Sequence, residues 1–316
     1  MKHKNVSNPA ALAPPHSLAR RRFRVKDAAL RTLIYLCAFC TVAVLAAILG
    51  HILWNGLPHI SWEFLSSTYS ASRTGSKGIL PMIINTIYVV AITLLIAVPI
   101  GVCCAVYLTQ YAKKGRLVKA IRFATEVLSG IPSIIFGLFG YAVFCISFQL
   151  QYSILAGCLT MAICILPTIV RTTEEALIAV PQGYLEGAMA LGASKLRVIF
   201  SILLPCAMPG IATAIVLAMG RIVGETAALL FTVGVSGFRL PEELFGHIMG
   251  QGCTLSLFLY TSAMEARDPI SVPYATAAVL LILVFLLNRL AGIFALSLIH
   301  ISAPPRPISI SSAVFC

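Results

Sequence analysis

Residues Arg171–Pro205 read RTTEEALIAVPQGYLEGAMALGASKLRVIFSILLP. The stretch is polar at its head, small in its middle and apolar at its tail. Thr172-Thr173-Glu174-Glu175 suits a helix that extends out of an apolar segment, and Pro181-Gln182-Gly183 breaks it. A helical pattern resumes at Tyr184 with small residues at Gly187, Ala188, Ala190, Gly192 and Ala193. Such a surface lets another protein approach closely, and Glu186 offers one charge to a partner's base. Lys195 and Arg197 follow where the chain should meet a membrane surface. The bland alternative is an amphipathic helix resting on the bilayer. The scarcity of large apolar anchors before Leu196 argues against it.

The surroundings make the membrane setting firm. Of 316 residues, 59% are hydrophobic and 11% charged, where soluble domains carry about one quarter charged. A bilayer core needs about 20 apolar residues as a helix. Six runs qualify: Leu30–Trp54, Ile79–Leu108, Val127–Leu150, Tyr152–Val170, Cys206–Val235 and Val272–Asn288. The expected fold is all-α, a polytopic membrane bundle of six transmembrane helices spanning residues 27–295. The first run is too long for a signal peptide and lacks a small-residue cleavage site. The third and fourth runs are joined only by Gln149–Ser153, which predicts a tight antiparallel hairpin. Of the outer connections, Ser236–Ser271 is expected to hold a short amphipathic helix around Glu242–Met249.

Eighteen of the 23 Lys and Arg fall on one side. They lie in the basic tail 1–26, with Arg31 just beyond it, in the connection Lys113–Arg122, in Arg171–Arg197, and at Arg289 and Arg306. The opposite side has Arg73, Lys77, Arg239 and Arg267. The rich side is expected to be cytoplasmic, with both termini inside. The net charge of +12 is then a topology signal and an attraction to membrane lipid, and no nucleic-acid partner is expected. The ten cysteines mostly lie in apolar runs, where free thiols act as small hydrophobes. No redox or metal role is assigned to them.

One run carries charge. In MGRIVGETAALLFTVG (Met219–Gly234), Arg221 and Glu225 are four residues apart inside the fifth span. A charge at the centre of a span costs about 2.5–3.5 kcal/mol on insertion scales. On one continuous helix the two would share a face and could pair, with Gly220 and Gly224 allowing close helix approach. Two readings stay open. The pair is structural glue, or Arg221 offers an anion a fork of donors when Glu225 releases it. Arg171, at the end of the fourth span, lines the inner exit or snorkels to the interface. Arg122 and Glu126 are expected to form an interfacial i,i+4 pair. Leu128–Gly140, LSGIPSIIFGLFG, predicts a kink and close packing. His51 and His59 are isolated and read as structural.

Glu186-Gly187-Ala188, three residues, Gly192, nine residues, Ile202, one residue and Leu204-Pro205 match the pattern E-A-A-x3-G-x9-I-x-L-P of bacterial ABC importer permeases. The departure is Gly187 for the middle alanine. LSGIPSIIFGLFG, RIVGETAALLFTVG (Arg221–Gly234), VPIGVCCAVYLTQYA (Val98–Ala112) and PYATAAVLLILVFLLN (Pro273–Asn288) narrow the resemblance to the PstA family of phosphate importer permeases. A departure there is Ala228, where many relatives carry proline. The resemblance implies a MetI-like fold with a coupling helix near residues 183–195 that docks on a cytoplasmic ATPase. By it, Glu186, Gly187, Ala188, Gly192, Ile202, Leu204 and Pro205 belong to the ATPase-coupling segment. Arg221, Glu225 and Arg171 would border the substrate pathway. It further implies a sister permease PstC, a dimer of the ATPase PstB that holds ATP and Mg, and a periplasmic phosphate-binding protein PstS, in the bacterial inner membrane. No cofactor and no catalytic role is expected of this chain.

Other classes fit less well. GAMALGASK lacks a lysine directly after its second glycine and no strand precedes it, so it is not a phosphate loop. The 11 acids form no cluster with histidine that would suit a membrane phosphatase or lipid transferase. An ion-driven anion carrier predicts inverted repeats and more intramembrane acids. A single arginine would suit sulfate, molybdate or phosphonate as well as phosphate, and the resemblance alone favours phosphate. Leu296–Cys316 loses the helical apolar period and holds Pro304, Pro305 and Pro307. It resembles translated sequencing adapter, the alternative being a natural disordered tail.

Overall fold

The computed structural model describes residues 25–70, 77–112, 115–236, 238, 240, 243–265 and 270–302. The basic tail as far as residue 24, Arg73, Lys113, Lys114, Arg239, Arg267, Arg306 and the three tail prolines lie outside the described residues. The elements in chain order are α1 (Val25–Gly56), α2 (Trp62–Ser66), α3 (Leu80–Val106) with a π-helical extension Tyr107–Tyr111, α4 (Arg116–Gly130) and α5 (Ser133–Gly140) with a π-helical extension Tyr141–Ser147. Then follow α6 (Ile154–Ile178), α7 (Gln182–Ala190), α8 (Lys195–Val198) with a π-helical extension Ile199–Leu203, α9 (Leu204–Gly224), α10 (Ala227–Thr232), α11 (Leu244–Met249), α12 (Leu255–Glu265) and α13 (Ser271–Ser302).

Among the described residues, five helices are long and apolar enough to cross a membrane, and the pair α4–α5, bent by 104°, is a broken span or a re-entrant loop. The α1 helix is apolar on every side, with Leu33, Tyr35 and Phe39 exposed, as suits a helix solvated by lipid. At the centre of the remaining bundle stands α6, which touches α3, α4, α5, α9, α10 and α11. Ile154, Met161, Ile165 and Ile169 along it are fully buried. Ser153 caps its start by accepting the Ala156 N–H at 3.2 Å. The hairpin before it turns through Gln149 and Gln151, at φ 56° and 52°.

Two spans differ from the sequence expectation. The third is broken rather than kinked. Between α4 and α5, Ile131-Pro132 turns the chain by 104°. Pro132 has no N–H to continue the helix, and α4 carries Arg116, Lys119, Arg122 and Glu126 along a surface that is mostly exposed. The expected third span, Val127–Leu150, is thus interrupted at Ile131-Pro132. The fifth span is broken as well, at Glu225. In contrast, α13 runs unbroken through Leu296 to Ser302, past the point where the sequence pattern fades.

Candidate functional site

The helix α9 ends at Gly224, and Glu225 is extended at φ −76°, ψ 125°. Two residues later α10 begins. Arg221 and Glu225 are therefore not on one continuous helix, and the expected i,i+4 pair does not form. Arg221 is half-buried and its Nη2 donates to Cys164 Sγ at 3.6 Å. Among the described residues it makes no ion pair with a carboxylate. The Glu225 carboxylate instead accepts the Ala228 N–H at 3.3 Å. A proline at 228 would remove that donor. Arg221 is in the last turn of its helix, yet its partner Cys164 sits near the middle of α6. The guanidinium thus lies level with the middle of α6 even though its position in α9 is terminal.

The break is held by parts distant in sequence. Gly137 of α5 packs on the backbone of α10. A Cβ at Gly137 would meet Ala228 Cα at 2.9 Å and Ala227 O at 3.1 Å. On the other side, Ser256 of α12 donates to the Glu225 carbonyl at 2.9 Å. The start of α12 is pinned in turn by α3: Thr86 Oγ1 accepts the Leu255 N–H at 2.9 Å and Asn85 Nδ2 donates to the Cys253 carbonyl at 3.2 Å. That leaves Asn85 Oδ1 to accept from His247 Nε2 at 2.7 Å, which fixes the proton on that nitrogen. Sequence reading found α11, close to its expected place, but missed α12 and this polar chain. The signal was Thr254, Ser256, Thr261 and Ser262 studding an apolar run too short to span.

At the basic end of the bundle, α4 and α6 face each other. Arg122 Nη2 and Glu174 Oε1 are 2.5 Å apart, so Arg122 pairs across the helices rather than with Glu126. Arg171 pairs with Glu175 at 3.4 Å. It lies two turns before the end of α6, which runs on through Thr172–Glu175 as the sequence suggested, and its side chain is 73% exposed. A cavity of about 310 Å³ opens here, lined by Arg122, Thr125, Glu126, Ser129, Thr168 and Arg171 among others. A second, of about 410 Å³, lies between Arg122, Gln110, Gln182 and Glu186. Arg122 borders both. The structure thus brings Arg171 and Glu186 to neighbouring cavities, and leaves Arg221 and Glu225 in a different region.

The segment after α6 forms α7, whose Tyr184, Glu186, Gly187 and Met189 are exposed. Leu191, just past its end, is 91% exposed, so large apolar anchors are present before Leu196. Gly192 adopts φ +86°. Its N–H donates to the Met189 carbonyl at 2.9 Å and the Ala193 N–H to the Ala188 carbonyl at 3.1 Å. These two bonds make a Schellman cap, whose left-handed residue is favoured as glycine. Gly192 therefore ends the helix rather than extending its small-residue face. Ile202, Leu204 and Pro205 are half-buried in the run from Lys195 to Gly224, which is a membrane span.

Residues 97–300 match the family described as binding-protein-dependent transport system inner membrane component. The chain belongs to this family. Both breaks, α7 and Arg221 lie inside the matched residues. The phosphate transport system permease protein PstA of Pasteurella multocida (strain Pm70) is 35% identical over 86% of this chain and 95% of its own length. The probable ABC transporter permease protein YqgI of Bacillus subtilis (strain 168) is 38% identical, covering 65% of this chain and 69% of that one. Among solved structures, the MetNI methionine ABC transporter in inward-facing conformation has a TM-score of 0.54 at 20% identity, covering 70% of this chain and 94% of that one. That likeness shows a MetI-type permease fold. The protein is a multi-pass inner-membrane permease.

Proposed function

We propose that this inner membrane component is the subunit of an ATP-driven importer that carries inorganic phosphate into the cytoplasm. The observation that supports it most is Arg221. It is a guanidinium level with the middle of the central helix α6, with no carboxylate partner among the described residues, in a chain similar to PstA permeases over most of its length. An uncompensated charge there is costly unless an anion visits it. A guanidinium offers phosphate two parallel donors. Glu225, turned to the α10 backbone, is close enough in sequence to compete for Arg221 and keep the site weak enough to release its ligand.

In this reading the basic end faces the cytoplasm. Glu186, Gly187, Ala188 and Leu191 dock on the ATPase PstB, where ATP and Mg act; Gly192 sets the end of that helix. Glu186 of α7 and Arg122 of α4 line one cavity, and the Arg122–Glu174 pair ties α4 to α6, which carries Arg171 at the inner exit. The sister permease PstC and the periplasmic protein PstS complete the assembly. Labelled-phosphate uptake in cells with and without this gene tests the reading. It expects uptake that depends on the gene and is not displaced by excess sulfate or molybdate. Gene-dependent uptake of another oxyanion instead would contradict it.

A further inference from the structure

Between the Arg221 region and the basic end, α6 carries two threonines. Thr168 follows Cys164, the partner of Arg221, by four residues, and Thr172 follows by four more. Residues at this spacing stack along one side of a helix, about 6 Å apart in rise. Both threonines line the cavity of about 310 Å³ that Arg171 borders. That cavity therefore reaches within about one helical turn of Cys164. Along α6, the two hydroxyls join the region of Arg221 to the basic end.

Most other polar groups of this cavity are already engaged. Arg122 pairs with Glu174 and Arg171 with Glu175. Thr125 Oγ1 donates to the Arg122 carbonyl at 2.8 Å and Ser129 Oγ to the Glu126 carbonyl at 2.7 Å. Elsewhere in the bundle, Thr86, Thr160 and Thr276 each donate to the carbonyl four residues back, the usual habit of threonine inside a helix. Thr168 and Thr172 are half-buried, yet neither makes a side-chain hydrogen bond with any described residue. An idle hydroxyl inside a span is costly unless a ligand or water uses it. Each hydroxyl can donate to an oxyanion and can accept from a protonated phosphate oxygen.

We propose that Thr168 and Thr172 are substrate contacts on the exit side, whose hydroxyls take the oxyanion when Arg221 releases it and pass it to the basic end. The proposal rests on Arg221 being the anion contact inside the membrane. Neutral donors suit this step, because a carried ion must be held weakly enough to leave. The lining supports the same balance: Arg122 and Arg171 are matched in charge by Glu126 and Glu174, so the cavity does not trap an anion.

The test is labelled-phosphate uptake in cells carrying the assembled transporter, comparing T168V/T172V with T168S/T172S. Valine keeps the branched shape of threonine and removes the hydroxyl, whereas serine keeps the hydroxyl. The valine pair should lower Vmax by about five-fold for each hydrogen bond lost, roughly 25-fold together. Its KM, and the melting temperature of the purified complex, should stay close to those of the unaltered chain. The serine pair should keep most of the rate. An unchanged Vmax in the valine pair, an equal fall in the serine pair, or a rise in KM alone would overturn the proposal. Arg221→Gln, run in parallel, tells two failures apart. If Arg221→Gln abolishes uptake and the valine pair does not slow it, only the exit contacts are wrong. If Arg221→Gln transports normally, the premise fails and the proposal with it.

Discussion

The α7 segment and the break at Glu225 were both marked in the sequence by charges and small residues among apolar neighbours, yet they are built in opposite ways. The α7 segment is local. Its helix starts after Pro181 and stops at Gly192, and the two bonds of its cap close within six residues. The break is assembled from afar, by Gly137 of α5, Ser256 of α12, Cys164 of α6 and, one step behind, Asn85 and Thr86 of α3. A local device can be read from a short pattern. A device held by distant segments cannot, because the apolar run around it also fits an unbroken helix.

Substitutions can break each side of this comparison. The largest effect is expected at Gly137→Leu, because a side chain there meets backbone rather than a movable side chain. Overpacking of this kind costs about 3 kcal/mol. The folded fraction in detergent, by size-exclusion profile, should fall sharply. Next comes Gly192→Val. Left-handed backbone costs an L-residue roughly 1–2 kcal/mol, so the helix end should shift and phosphate-stimulated ATP hydrolysis should drop several-fold while insertion and expression persist. Gly192→Asn should be milder, since asparagine tolerates this region. Equal losses for Val and Asn would indicate that side-chain bulk matters there and not the cap.

Ser256→Ala should cost about 1 kcal/mol through one lost hydrogen bond, read as a lower melting temperature together with slower uptake. A loss of stability without any change in uptake would separate α12 from the site. The smallest effect is expected from His247. Burial lowers its imidazole below the ordinary 6.5. Above that pH both folded and unfolded forms are neutral and the residue adds no pH dependence. As pH falls below 6.5 the unfolded chain takes up the proton first, so stability declines. His247→Gln should flatten that acid limb of the melting curve.

Most of the fold was legible because lipid imposes length and composition on each span. The five long spans and the turn at Gln149–Ser153 follow from those rules. The two broken spans do not. Pro132 signalled a kink, but only the charged surface of α4 turns it into a 104° corner. Gly224-Glu225-Thr226 could have signalled a helix end, yet it was outweighed by the apolar residues on both sides. Pairing was misread for a related reason. Spacing joins Arg221 to Glu225 and Arg122 to Glu126, whereas packing gives Arg122 to Glu174 and turns the Glu225 carboxylate to Ala228 N–H. The small residues of α7 were read as one surface, when Gly192 serves the backbone.

The central claim is that Arg221, without a carboxylate partner, is the anion contact inside the membrane. It is tested most directly by labelled-phosphate uptake through Arg221→Gln and Arg221→Lys, with assembly of the transporter followed in the same membranes. A charge-assisted hydrogen bond is worth about 1.5–3 kcal/mol. The account therefore predicts that Arg221→Gln loses at least about ten-fold in uptake with the complex intact, and that Arg221→Lys recovers part of it. Unchanged uptake through Arg221→Gln in an assembled complex would contradict it.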